Sequence, residues 1–291
     1  MHYAIHHKTV YHYEDNVSYS HHLARLSPLD STTQTHLSSR VVIDPAPEIL
    51  TSHRDYYGNT TSFFSLSSPH RSLTIESHSQ VSLLSNPATG LDLSPPWETV
   101  RDSLRQPGRE NDLEAAEFTF PSPLCPVSPE FADYARESFP PGRPVLEACS
   151  DLTHRIHRDF RFDNTATTVT TPVHEAFEKR AGVCQDFAHL QISCLRSLGL
   201  PTRYVSGYLR TDPPPGKPRL VGADASHAWV GLYVPQLGWT EFDATNDLMP
   251  DTHHIRVAHG RDYHDICPIR GTVYGGGAQT LEIGVTVTPL E

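Results

Sequence analysis

No stretch of this chain approaches the roughly 18 consecutive apolar residues that a membrane-spanning helix needs, so no span is expected. The N-terminus, Met1-His-Tyr-Ala-Ile-His-His, alternates polar and apolar residues and lacks the apolar core of a signal peptide. The expectation is therefore a mature chain that begins there, in the cytoplasm. Cysteine is scarce: Cys125, Cys149, Cys184, Cys194 and Cys267 are five in number, without paired spacing, which argues against a disulfide framework. Positive charge is also in deficit. Lys and Arg number 23 against 34 Asp and Glu, a formal net charge of −11. A chain of that sign repels phosphate backbones, so neither nucleic acid nor a membrane is an expected partner. Neither HExxH nor CxxC occurs, and no clustered-Asp calcium loop is present. No metal or other cofactor is expected. The Gly275-Gly-Gly run is not followed by Lys-Ser/Thr, so it does not read as a phosphate cradle. Internal repeats are absent.

What remains is an ordinary globular composition, 37% apolar and 20% charged, over 291 residues. That length suits two domains and a sizeable core. The 25 prolines fall in clusters that punctuate loops. Up to about residue 120 the pattern is β. Residues 1–13 are rich in Tyr, Ile and Val, Asp55-Tyr-Tyr-Gly-Asn has hairpin-turn chemistry, and Leu73, Ile75, Val81 and Leu83 alternate with polar neighbours. Helix signals follow. Ser128-Pro-Glu is an N-cap with Pro at the first helical position. Leu146, Leu152, Ile156 and Phe160 share one face of a helix over 144–159, and a short helix spans 173–179. A further helix runs from about Cys184 to Leu198 and closes at Gly199. Strands then return at 202–209, 227–234 and 239–244, with a last one around Leu281 to Val287. The fold class is α+β: an antiparallel, sandwich-like β domain over 1–122, then a core over 123–291 in which a helix packs on an antiparallel sheet.

Cys184 falls in the first turn of its helix, where unpaired backbone N–H groups favour the thiolate, the reactive form. His227 opens a strand, and Asp243 lies sixteen residues on. A tight hairpin near Pro235 sets the two opposite each other, which permits a hydrogen bond that fixes the imidazole tautomer. Nucleophile, base and orienting carboxylate are thus all supplied.

The segments Gly182-Val-Cys-Gln-Asp-Phe-Ala-His, Arg203-Tyr-Val-Ser-Gly-Tyr, His227-Ala-Trp-Val and Gly238-Trp…Phe242-Asp, in that order, resemble the transglutaminase-like superfamily in its bacterial form. The N-terminal β region and the tail Arg261-Asp-Tyr…Gly271-Thr-Val-Tyr-Gly-Gly-Gly extend the resemblance over nearly the whole chain. Ala244 departs from the Pro common after the family's Asp. The resemblance implies a papain-like fold, a triad of Cys184, His227 and Asp243, and acyl transfer through a Cys184 thioester. The Cys184 backbone N–H is the natural first oxyanion donor. Glu178 stands where papain-like proteases carry a Gln donor. A cysteine peptidase or amidohydrolase acting on a peptide or amide is the leading reading. The alternatives are a protein-glutamine transglutaminase and a non-catalytic binding module.

Gln185, Asp186, His189, Tyr208 and Trp229 are candidates to support the triad, although core packing or complementing the helix dipole also explains such residues. His154 and His157, at i and i+3 on a helix, have no evident third ligand. His2, His6, His7 and His12 read as exposed residues of a strand. Cys194 reads as a core thiol. Specificity is expected from loops such as residues 212–222 and from the seam with the N-terminal domain. The oligomeric state is open.

Overall fold

The computed structural model describes residues 1–85, 90–105, 108–211 and 224–290; the loop 212–222 lies outside them. Five strands open the chain: β1 (His2–Ala24), β2 (Gln34–Asp44), β3 (Ile49–Arg54), β4 (Thr60–Leu66) and β5 (His70–Leu83). Alternating polar and apolar residues set one face of β1 inward, so Tyr3, Ile5 and His7 are buried. The Asp55-Tyr-Tyr-Gly-Asn segment makes the β3–β4 turn, with Gly58 at a φ of +82°.

The segment read as purely β up to residue 120 in fact turns helical at Trp97. Helices α1 (Trp97–Ser103) and α2 (Glu110–Ala116) pack Trp97, Val100 and Ala115 into the core of the following region. Their shortness hides the helical period, because one or two turns cannot show a repeating apolar stripe. Next come α3 (Pro129–Arg136), α4 (Val145–Asp159), β6 (Arg161–Phe162), α5 (Val173–Lys179), β7 (Ala181–Gly182) and α6 (Cys184–Ser197). The Ser128 hydroxyl accepts from Phe131 N, and Gly199 closes α6 at a φ of +79°, both as their residue types dictate.

Strands β8 (Thr202–Leu209), β9 (Ala225–Val234), β10 (Gly238–Phe242) and β11 (His254–Gly260) form an antiparallel sheet in the order β10-β9-β8-β11. Buried Ala188, Ile192 and Leu195 of α6 meet Ala228, Val230 and Leu232 of β9 in one core. After α7 (Tyr263–Ile266), strands β12 (Ile269–Gly275) and β13 (Gln279–Leu290) return to the N-terminal sheet, and both pair with β1. The tail, grouped in sequence with residues 123–291, thus completes the sheet begun by residue 2. Pairing over such a separation leaves no local trace. The seven strands form one antiparallel sheet. Tyr3, Ile5, Val81, Val285 and Val287 of that sheet pack on Tyr208, Ile255 and Val257 of the other, and this contact seats the N-terminal sheet beside the start of α6.

Candidate active site

Cys184 is the first residue of α6, and the first intrahelical bond runs from Phe187 N to Val183 O. The N–H groups of residues 184 to 186 therefore precede the helix's own acceptors. Asp186 accepts from Val183 N at 2.8 Å and from the Thr167 hydroxyl at 2.6 Å. Burial pushes its carboxyl up even so. Gly182 has room for no side chain, since a Cβ there would stand 2.6 Å from Asp186 Oδ2. Asp186 thus fixes the backbone that presents the thiol, and Gln185 donates to Val169 O and pins the preceding loop.

On β9, His227 lies opposite Gly207 of β8. A Cβ on Gly207 would stand 2.0 Å from Ile255 O, so only glycine lets β11 close against β8 at this level. The His227 Nε2–H donates to Asp243 Oδ2 at 2.7 Å. With Nε2 engaged, Nδ1 is the nitrogen left for the Cys184 thiol, which lines the same cleft. Burial pulls this imidazole's pKa down. The hydrogen bond to Asp243 and the nearby Cys184 sulfur outweigh it and raise the pKa to about 10. Asp243 is fully buried, which favours its neutral form, yet donors from His227, His254 and Asn246 hold it well below the usual carboxylate range.

Sequence reasoning missed two of those donors. His254 Nε2 lies 3.0 Å and Asn246 Nδ2 2.7 Å from Asp243 Oδ2, while Thr245 N donates to Oδ1 at 2.9 Å. Asn246, three residues after Asp243, carried a readable turn signal. His254 did not, because it arrives from β11 through tertiary pairing alone. Trp229 stands behind both imidazoles, 5.9 Å from the His227 ring and 5.1 Å from that of His254. Its indole N–H donates to Glu241, which Arg256 neutralises. The bond fixes the plane of the Trp229 ring, so Trp229 supports the site from behind.

Cys184 and His227 open into a cleft of about 260 Å³. One side comes from the β8–β11 sheet and α6, with Gln185, Tyr204, Ser206 and Ser226. The other comes from the N-terminal sheet, with His7, Thr9 and Tyr11 of β1 and Leu281 and Ile283 of β13. His7, expected to be exposed, is buried: it hydrogen-bonds Tyr208 at 2.9 Å, and burial lowers its pKa to about 4. His189 also sits away from the chemistry, accepting from Tyr263 N. A larger cavity of about 740 Å³ is lined by Tyr57, Arg203, Tyr233 and Trp239, with no cysteine among the described residues that line it; Cys184 and His227 line the smaller cleft.

Cys125, Cys149 and Cys194 are buried and free, and desolvation raises all three thiols. His154 pairs with Asp247 and His157 bonds Thr245 O, so the two anchor α4 to the loop after Asp243.

Two family models match the chain. Residues 3–82 fit the bacterial transglutaminase-like N-terminal region and residues 132–244 the transglutaminase-like superfamily. An uncharacterized protein of Mycobacterium tuberculosis is 42% identical over 99% of this chain and 93% of its own. A protein-glutamine gamma-glutamyltransferase of Pseudomonas aeruginosa is 36% identical over 38% of this chain and 19% of its own. A solved structure from Cytophaga hutchinsonii, provisionally described as a cysteine protease, matches with a TM-score of 0.74 and 21% identity, covering all of this chain and 92% of that one.

Proposed function

This chain belongs to the transglutaminase-like superfamily in its bacterial form, and on that premise we propose that it is a thiol-dependent acyl-transfer enzyme that hydrolyses peptide or amide bonds. The observation that carries the reading is the meeting, in one cleft, of a thiol at a helix start with an imidazole already bonded to a buried carboxylate.

The chemistry then runs in two halves. His227 Nδ1 takes the Cys184 proton, and the sulfur attacks the amide carbonyl. The Cys184 backbone N–H, unused by α6, stabilises the oxyanion. His227 returns the proton to the departing nitrogen as the C–N bond breaks, leaving a thioester. Water attacks with His227 as base, the S–C bond breaks, and the acid leaves with the thiol restored. Asp243 keeps Nε2 protonated throughout, so Nδ1 faces the sulfur.

Two features favour water over an amine as the second substrate. No Asp or Glu is among the described residues that line the cleft, so none stands ready to receive a lysine ammonium. Trp229 and Trp239, the aromatic residues that could wall an amine channel, do not line it either. The P. aeruginosa transferase and the C. hutchinsonii protease show that both outcomes are named among similar proteins. Incubation with an amide substrate and an excess of primary amine, followed by mass spectrometry, separates them. Free acid should exceed the amine adduct at millimolar amine. A dominant adduct would replace hydrolysis by transfer.

A further inference from the structure

The outer face of the N-terminal sheet carries a second cluster of chemically active side chains. His6 on β1 and His78 on β5 are directly paired across the strands, and Glu76 is two residues from His78 on the same face. The two rings stack at 4.5 Å between centroids, 12° from parallel. His6 Nε2 lies 3.0 Å and His78 Nε2 3.5 Å from the same oxygen, Glu76 Oε2. All three donor atoms lie within 4.8 Å of one another.

We propose that His6, Glu76 and His78 form a binding site for a divalent transition-metal ion of the zinc type. Two donors each about 2.1 Å from one ion at a tetrahedral angle stand about 3.4 Å apart, close to the separations from each histidine nitrogen to the carboxylate oxygen. Two imidazoles and one carboxylate suit Zn²⁺, Ni²⁺ or Cu²⁺ and are a poor set for Mg²⁺ or Ca²⁺, which prefer oxygen. Lys8 occupies the other carboxylate oxygen, Oε1, at 3.2 Å and leaves Oε2 to the histidines. The side chains are 25% to 44% exposed, open to an ion and to completing waters. Among the described residues His227, Asp243 and His254 form the other such group, but they are buried and their separations are taken up by proton-bearing hydrogen bonds. An ion at His6 would tie β1 to β5 at the residue before His7, which faces the cleft from the opposite side of the same strand.

No local motif marks this site, because Glu76 and its neighbour His78 lie 70 or more residues from His6. Titration of the untagged Cys184→Ala chain with ZnCl₂ in a calorimeter tests the site while removing the cleft thiol as a competing ligand. One equivalent should bind with a Kd in the micromolar range or tighter, and MgCl₂ should give no comparable binding. His6→Ala and His78→Ala should each weaken zinc by at least ~10-fold. His12→Ala, on the same face of β1, should leave it unchanged. Absence of zinc binding, or an unchanged Kd in His78→Ala, overturns the proposal. Far-UV circular dichroism of each variant separates ligand loss from unfolding.

Discussion

Cys184→Ala should lower amide turnover by ~10⁴-fold or more while leaving the fold intact. The thiol is only half-buried and its loss opens no large core cavity, so stability should change by about 1 kcal/mol or less. No other cysteine can take its place. Cys125, Cys149 and Cys194 sit in the core. Cys267 is turned to Ile269 O and the Tyr263 hydroxyl. Initial rates on an amide substrate, with a thermal melt beside them, make the measurement. Turnover within tenfold of the unaltered protein would place the nucleophile elsewhere.

Asp243→Asn should cost ~10²-fold in turnover, less than the ~10⁴-fold of a serine triad, because a Cys–His pair is already polarised. The pH profile carries more information than the size of the loss. Against burial, the hydrogen bond to Asp243 and the nearby Cys184 sulfur hold the His227 imidazole at about 10. The alkaline limb of kcat/KM, where imidazolium is lost, should therefore stand well above pH 6.5 in the unaltered protein. Without the carboxylate it should move down toward that value. The signs for stability follow the same groups. The raised His227 contributes stability fully below about pH 6.5 and loses it as pH climbs toward 10. The depressed Asp243 contributes above about pH 4 and loses it as pH falls. Asn would also turn an amide N–H toward the donors of His227, His254 and Asn246, costing about 1–3 kcal/mol, so rates belong well below the variant's melting point. An alkaline limb that does not move removes Asp243 from the control of His227.

The elements that carry Cys184 and His227 were legible because their signals are local. Gly199 ends α6 by its left-handed conformation, and the Pro235 turn sets β9 against β10. Cys184, His227 and Asp243 are read the same way, from a helix start and a hairpin, and the structure brings Cys184 and His227 to one cleft with Asp243 bonded to His227. What escaped is non-local. The return of β13 to β1, the burial of His7 against Tyr208 and the approach of His254 to Asp243 depend on partners from 11 to more than 270 residues away. Alternation along β1 could show that one face is buried, but not which sheet buries it. That is why the N-terminal sheet, a separate module in sequence, proves to be one wall of the cleft.

Site-resolved alkylation tests the central claim most directly. The native protein, treated briefly with iodoacetamide at neutral pH and mapped by mass spectrometry, should carry label on Cys184 at least ~10-fold ahead of each of the other four cysteines, and His227→Ala should erase most of that lead. Equal labelling of all five, or a Cys184 rate indifferent to His227, would contradict the account.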